Sequence, residues 1–183
     1  VYREILSRTP EHDLVPGLDR IRAVCDLLGD PQRAFRSVHV TGTNGKTSTT
    51  RMIEGLLREY GLRTGRFTSP HLSDVRERVC LDGELLSHER FIEVYEEILP
   101  YLDLVDAESA RHVRPRLTYF ETLVALAYAS FADAPVDVAV VEVGMGGAWD
   151  ATNVLDGDVA VVTPIALDHQ HFLGTTTSSI AQE

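Results

Sequence analysis

The stretch VTGTNGKTST, residues 40–49, places two glycines and a lysine between a short apolar strand and a helical pattern. The Walker A phosphate loop is written G-x-x-x-x-G-K-[ST], and its first glycine would here fall on Val40. The first glycine is instead Gly42, three positions before Gly45. The stretch is therefore a chance turn, a damaged nucleotide site or a phosphate loop of another spelling.

The strand–loop–helix order favours a phosphate loop. Glycines permit a tight backbone whose amide groups face an anion, and the N-terminus of the following helix attracts negative charge. Lys46 can bridge terminal phosphates, and the Thr47 hydroxyl can bind Mg²⁺. The alternative is a plain turn in which Thr43 or Asn44 caps the helix. We predict an ATP site formed by Gly42, Thr43, Asn44, Gly45, Lys46, Thr47 and Ser48.

The composition is that of an ordinary globular chain with an acidic balance. Of the 183 residues, 44% are hydrophobic and 25% are charged, which suits one well-cored domain. The net charge of −11 argues against non-specific binding to nucleic acid or to an anionic membrane. No apolar run reaches membrane-spanning length, and the two cysteines form no metal-type pair. We therefore expect a reducing, cytoplasmic setting.

Helical and strand patterns alternate along the chain, which predicts a doubly wound α/β fold with a mainly parallel sheet and helices on both faces. Helices are predicted around 21–28, 53–60, 91–102 and 120–131, and in the second of them Ile53, Leu56, Leu57 and Tyr60 share one face. Strands are predicted over 37–41, 63–68, 79–83, 136–143 and 159–163. The valine-rich runs 136–143 and 159–163 are typical of strands that are covered on both faces.

Polar residues stand at the ends of these predicted strands, where open α/β sheets bind their ligands. Ser69 follows the strand at 63–68, Glu142 lies near the end of the strand at 136–143, and His169 follows the last strand. The phosphate loop follows the first strand. One edge of the sheet would therefore gather a hydroxyl, a carboxylate and a histidine beside the loop.

Glu142 and His169 each have alternative interpretations. A carboxylate at the end of an apolar strand is costly to bury, and Mg²⁺, an arginine or solvent would compensate it. Imidazole is an unusual Mg²⁺ ligand, so His169 could equally carry a proton or cap a helix. His171 adds a second imidazole, but a zinc site needs more ligands than this stretch supplies.

The stretch LTYFE, residues 117–121, has a purely structural interpretation. Thr118 is followed three residues later by Glu121 at the start of an apolar helical face, which predicts a capping box. Arg76 and Arg78 lie in a charged loop that is most often solvated, although either could meet an anionic substrate.

Several motifs together resemble the folylpolyglutamate synthase/dihydrofolate synthase family of the Mur ligase superfamily. They are VHVTGTNGKTST, TSPHL with RERV, LTYFE, VVEVGMGGAWDATN and VTPIALDH, in this order from about Leu18 to the last residue. That superfamily writes its ATP loop T-G-T-N-G-K-[TSG], which accounts for the position of Gly42. The resemblance implies a P-loop NTPase-like Mur ligase central domain, ATP-binding, over residues 1–183.

The resemblance also implies an ATP-dependent amide-bond ligase that adds L-glutamate to the carboxylate of a folate or dihydropteroate through an acyl phosphate. Lys46 would hold the phosphates. Thr47 and Glu142 would hold one Mg²⁺, and Ser69 and His169 would join Glu142 at a second. Lys46, Glu142 and His169 are then the catalytic residues. The positions that match the pterin pocket are Thr118, Phe120, Asp150 and Ala151.

Departures from the family pattern keep other readings open. Ala148 stands where the family usually has arginine, and Gln170 and His171 replace more acidic neighbours of His169. These changes favour a Mur-type ligase with another carboxylate acceptor, or an ATP-binding module without catalysis. The family continues with a lysine and a C-terminal domain after the equivalent of Glu183. We therefore expect that residues 1–183 are a fragment that is inactive by itself. We also expect the enzyme to be a monomer.

Overall fold

The computed structural model describes residues 1–10 and 16–183. Within those ranges the strands are β1 (Arg36–Thr41), β2 (Thr64–Phe67), β3 (Val79–Leu81), β4 (Glu84–Leu85), β5 (Val138–Glu142) and β6 (Val159–Val162). They form one sheet in the order β4-β3-β2-β5-β1-β6. The central pairs β2–β5, β5–β1 and β1–β6 are parallel, whereas β3 and β4 are antiparallel additions beside β2. The mainly parallel sheet expected from the sequence is confirmed.

Helices cover both faces of this sheet. They are α1 (Tyr2–Leu6), α2 (Asp19–Leu27), α3 (Lys46–Glu59), α4 (His88–Arg111), α5 (Tyr119–Asp133), α6 (Gln170–Leu173) and α7 (Thr177–Ile180) in the described ranges. Thr64 and Arg66 of β2 hydrogen-bond to Glu54 of α3, whereas a Cβ on Gly65 would lie 2.7 Å from the Phe131 ring of α5. Because successive strand residues point to opposite faces, α3 and α5 lie on opposite sides of the sheet.

The larger part of the core lies on the α5 side. Helix α5 packs against α2 and α4, and its side chains from Leu123 to Tyr128 are almost completely buried. The helix begins with the predicted capping box: the Thr118 hydroxyl accepts from the Glu121 amide at 3.2 Å, and Glu121 accepts from the Thr118 amide at 2.8 Å. The box satisfies backbone donors at a buried helix end.

The expectation that residues 159–163 form a strand covered on both faces is wrong for the described structure. β6 lies at the edge of the sheet and pairs only with β1 within the described ranges. Val159 is 50% exposed and Val162 is 66% exposed. The other valine-rich strand, β5, is buried along its whole length because β1 and β2 flank it and helices cover it. Valine content reports β propensity, whereas burial depends on position in the sheet.

The apolar face predicted for the second helix is also wrong in part. In α3 the fully buried positions are Thr50 and Glu54, whereas Leu56 is 63% exposed and Tyr60 is 84% exposed. Arg66 of β2 explains why this polar face is buried and the apolar face is not, because Arg66 forms a buried ion pair with Glu54 at 3.0 Å. The face that meets the sheet is therefore chosen by a polar partner on β2 and not by hydrophobic periodicity alone.

No helix in the described part of the chain is both long and apolar enough to cross a lipid bilayer.

Candidate active site

The loop between β1 and α3 adopts a conformation that only glycine accommodates well. Gly42 has φ 131° and Gly45 has φ 84°, both in the region that L side chains rarely adopt. A Cβ on Gly42 would also lie 2.7 Å from the Thr163 carbonyl oxygen, whereas one on Gly45 would meet nothing within 4 Å. Gly42 therefore allows the loop to approach the segment that follows β6.

That segment holds the loop in place. The amides of Thr43 and Asn44 donate to the Pro164 carbonyl at 3.1 and 3.3 Å. The Thr43 hydroxyl accepts from the Ala166 amide at 3.0 Å and lies 3.2 Å from the Ala166 carbonyl. Two of the loop residues predicted to bind ATP thus fix the loop. The first N–H groups of α3, like those of any helix, have no acceptor within the helix, and this end of the helix suits an anion.

Lys46 is the first residue of α3 and lies over the loop. Its Nζ donates to the Gly42 carbonyl at 2.8 Å and lies 3.5 Å from the Thr43 carbonyl. The ammonium group is therefore held beside the mouth of the loop, within the same cleft as His169.

Glu142 is the point at which the predicted metal-binding residues converge. The Thr47 hydroxyl donates to it, 2.8 Å from Oε1 and 3.0 Å from Oε2, and the Ser69 amide donates to Oε2 at 3.2 Å. These contacts join the ends of β1, β2 and β5. The parallel strands thus bring Thr47 and Ser69 to Glu142, which lies 95 and 73 positions further along the chain.

The carboxylate of Glu142 is deeply buried, with 1% of the residue exposed. Burial raises its pKa, and hydrogen bonds from Thr47 and Ser69 and the charges of Lys46 and Arg51 act in the opposite direction. A divalent cation would relieve the cost of keeping this carboxylate ionised. The oxygen donors present suit Mg²⁺, which binds one or two carboxylates and completes its shell with phosphate oxygens and water.

His169 stands apart from this group. It has φ 46° and precedes α6, its side chain is 48% exposed, and its Nε2 lies 3.8 Å from Asp168 Oδ2. Across residues 1–10 and 16–183 no three His, Cys, Asp or Glu side chains converge on a metal-sized site. A second cation that uses Ser69, Glu142 and His169 therefore stays a prediction.

A small cleft of about 100 Å³ connects the phosphate loop with the glycine-rich loop after β5. Its walls include Thr41, Lys46, Gly144, Met145, Asp168 and His169. The Thr41 hydroxyl donates to the Gly146 carbonyl at 2.7 Å and so ties the two loops together. His169 and Lys46 thus line one cleft, as the strand-end argument anticipated.

The residues matched to the pterin pocket lie behind the glycine-rich loop. A Cβ on Gly144 would lie 2.7 Å from Phe120 Cζ and 2.9 Å from Asp150 Oδ2, so these two side chains meet at Gly144. Phe120 also contacts Phe67, with ring centroids 5.8 Å apart. Ala151 is buried and begins a short 3₁₀ helix, and the Thr118 hydroxyl is engaged as the cap of α5. Ala148 is exposed on the connecting turn.

Two residues that sequence reasoning did not single out belong to this neighbourhood. His39 of β1 and Thr152 of the 3₁₀ helix Ala151–Val154 are joined by a 2.8 Å hydrogen bond. A polar residue in the middle of an otherwise apolar strand, such as His39 in SVHV, is the signal that could have identified them.

The chain is similar to known proteins over nearly its whole length. The chain is 51% identical over 180 residues to the dihydrofolate synthase/folylpolyglutamate synthase of Mycobacterium tuberculosis, covering 97% of this chain and 37% of that protein. It is also similar to the M. tuberculosis folylpolyglutamate synthase solved with ADP and AMPPCP, with a TM-score of 0.90 and 49% identity over 98% of this chain and 38% of that one. The chain belongs to the folylpolyglutamate synthase/dihydrofolate synthase family.

The fold of this family, which is that of the Mur ligases, extends over the described chain. E. coli FolC, solved with DHPP and ADP, matches with a TM-score of 0.81 and 38% identity over 91% of this chain and 38% of that one. No protein-family profile matches the chain. The chain spans less than two-fifths of the length of each of these relatives.

Proposed function

We propose that the full-length protein is an ATP-dependent carboxylate–amine ligase that adds L-glutamate to a folate or dihydropteroate. The observation that carries the proposal is the convergence of the Thr47 hydroxyl and the Ser69 amide on the buried Glu142 carboxylate, directly beside the phosphate loop. A buried carboxylate at the mouth of a phosphate loop suits a metal–nucleotide complex.

Each residue of this group has a distinct role in the proposal. Lys46 leaves the Gly42 carbonyl to bind the β- and γ-phosphates. Thr47 and Glu142 hold one Mg²⁺, and Ser69, Glu142 and His169 hold a second. Mg²⁺ would supply positive charge that stabilises the transferring phosphoryl group. The amides at the start of α3 add the favourable end of the helix dipole.

The proposed reaction has two steps. An oxygen of the substrate carboxylate attacks the γ-phosphorus of ATP, the bond to the bridging oxygen breaks, and ADP leaves, which yields an acyl phosphate. The amine of L-glutamate then attacks the acyl carbon, loses a proton and expels inorganic phosphate as the amide forms. Lys46 offsets repulsion between the carboxylate and the triphosphate, which is otherwise severe on a chain of net charge −11.

The acyl substrate is proposed to bind behind the glycine-rich loop. Phe120 and Asp150 meet at Gly144 there, and Ala151 and Thr118 complete the region. The Phe120 ring offers a flat apolar surface, which suits a flat heterocycle such as a pterin. Gly144 also lines the cleft that contains Lys46, so the carboxylate of such a substrate would point toward the nucleotide.

The relatives support a folate-type acceptor. The M. tuberculosis relatives are named for dihydrofolate or folylpolyglutamate synthesis, and the solved structures are complexes with ADP and AMPPCP or, for E. coli FolC, with DHPP and ADP. A Mur-type ligase with another acceptor is not favoured, although Ala148 and Gln170 depart from the family pattern. We further propose that residues 1–183 form the ATP-binding domain of a cytoplasmic monomer, which light scattering of the full-length protein tests.

The decisive experiment is an assay of the full-length protein with Mg²⁺, ATP, L-glutamate and either dihydropteroate or a reduced folate. We expect one ADP, one phosphate and one glutamylated product per turnover. Lys46→Ala should abolish both product formation and ATP binding. A full-length protein that turns over ATP but glutamylates neither substrate would refute the assigned acceptor, and retained ATP affinity in Lys46→Ala would refute the loop assignment.

A further inference from the structure

The carboxylate of Asp150 is almost fully occupied by donors from the chain itself. Oδ1 accepts from the Thr152 amide at 3.0 Å and from the Thr152 hydroxyl at 2.6 Å. Oδ2 accepts from the Met145 amide at 3.0 Å, and a backbone hydrogen bond from Gly144 adds to these. A carboxylate offers about four acceptor positions. Asp150, which is 5% exposed, therefore holds the glycine-rich loop and the 3₁₀ helix together.

The Thr152 hydroxyl extends this arrangement to β1. A hydroxyl has one proton to donate, and here it is given to Asp150 Oδ1. At 2.8 Å from His39 Nε2, the Thr152 oxygen must therefore accept, and His39 must donate from Nε2. Burial lowers the pKa of His39 to about 4, which agrees with a neutral ring. His39 thus donates a hydrogen bond to Thr152, and Thr152 donates one to Asp150.

The far end of this chain of hydrogen bonds reaches both binding regions. The Met145 amide that Asp150 holds belongs to the loop that lines the nucleotide cleft. On the other side, Asp150 Oδ2 and the Phe120 ring pack against the Cα of Gly144, where no side chain would fit. A shift of Asp150 would therefore move the turn at Gly144 and open the space in front of Phe120.

We propose that His39 and Thr152 are positioning residues that hold the Asp150 carboxylate in place as the acceptor for the Gly144 and Met145 amides, and thereby set the wall between the nucleotide cleft and the pocket for the acyl substrate. The inference rests on the proposed function for the identity of that substrate, a pterin-bearing carboxylate. It adds two residues on separate elements, β1 and the 3₁₀ helix Ala151–Val154, that have no role of their own in the proposed reaction.

The first test measures kinetics of the full-length protein. Thr152→Val keeps the shape and removes the hydroxyl, and we expect the KM for dihydropteroate to rise about tenfold while the KM for ATP changes less than about twofold. Thr152→Ser restores the hydroxyl and should restore the KM. His39→Gln keeps a nitrogen donor near the Nε2 position and should act more mildly than His39→Leu. Equal KM values in the Val and Ser variants would overturn the proposal.

The second test needs no substrate and so separates this inference from the proposed function. In the full-length protein labelled with ¹⁵N-histidine, the resonances of His39 are assigned by their loss in His39→Gln. We expect the neutral Nε2–H tautomer at pH 7, and a mixture of tautomers in Thr152→Val. The Nδ1–H tautomer in the unaltered protein would mean that Thr152 donates to His39 Nε2 and not to Asp150. That result would overturn the proposal, even if folate is the substrate. The expected tautomer in a protein that accepts no folate would instead reject only the proposed function.

Discussion

The Thr47 hydroxyl donates to the Glu142 carboxylate across 95 positions of sequence, 2.8 Å from Oε1 and 3.0 Å from Oε2. The contact joins the first turn of α3 to the end of β5 and places a hydroxyl and a carboxylate at the mouth of the phosphate loop. It is the structural basis for proposing a metal–nucleotide site there.

Removing that hydroxyl should weaken binding of Mg·ATP. Thr47→Val keeps the shape of the side chain and deletes the oxygen, so we expect the Kd for Mg·ATP to rise about tenfold or more. Thr47→Ser retains the oxygen and is the matched control. Isothermal titration calorimetry with and without Mg²⁺ measures the effect. Similar affinities for the Val and Ser variants would show that Thr47 does not contribute to the metal site.

Two glycines of the phosphate loop should respond differently to the same substitution. Gly42→Ala adds a Cβ 2.7 Å from the Thr163 carbonyl oxygen, so the backbone must shift, and we expect a loss of roughly 3 kcal/mol or more in the free energy of unfolding. Gly45→Ala meets no atom within 4 Å and carries only the strain of its positive φ, about 1–2 kcal/mol. Urea denaturation measures both. A larger cost at Gly45 would contradict the close approach of the loop to Thr163.

The buried ion pair between Glu54 and Arg66 should matter for stability. Arg66→Met leaves Glu54, which is 2% exposed, without its main cation, and we expect a loss of about 3 kcal/mol in the free energy of unfolding. The double variant Glu54→Met with Arg66→Met should recover most of that loss, because no buried charge remains. Arg63→Met removes one partner of the exposed pair with Asp137 and should leave the urea midpoint unchanged. An Arg66→Met protein as stable as the Arg63→Met control would contradict this account of α3.

His39 should make stability depend on pH. Its pKa is lowered from 6.5 to about 4 by burial, so between these values the unfolded chain binds a proton that the folded chain does not. The free energy of unfolding is therefore unaffected by the protonation of His39 above pH 6.5. It falls by roughly 3 kcal/mol as the pH drops from 6.5 toward 4. Urea denaturation from pH 7 to pH 4 measures the slope. His39→Gln should flatten it, whereas replacing the exposed His112 by glutamine should not; an unchanged slope in His39→Gln would count against a buried neutral ring.

Much of the fold follows from local patterns. The short apolar run SVHV and the nearly continuous valine run VAVVE predict strands, and glycine spacing predicts the turn into α3. The capping box at Thr118 and Glu121 is a matter of a few adjacent residues, and it forms as predicted. The rule that parallel strands end at one edge was sufficient to expect Thr47, Ser69 and Glu142 together.

Other features could not be read from those patterns. The buried face of α3 includes Glu54 because Arg66 lies opposite it on β2, and a hydrophobic pattern contains no information about that partner. Val159 and Val162 are exposed because β6 lies at the sheet edge, whereas the same residue type in β5 is buried. Whether a valine strand is covered depends on its neighbours in the sheet.

The sequence by itself determined the α/β class, the phosphate loop and its family, because these depend on residue types at short, regular spacings. Only the tertiary structure decided which distant polar groups form hydrogen bonds with each other. His39 and Thr152 are 113 positions apart, and their hydrogen bond exists because the packing of β1 against the 3₁₀ helix brings Nε2 and Oγ1 to 2.8 Å. Such a bond depends on register and distance to within a fraction of an ångström, and these are properties of the packed chain and not of any local stretch.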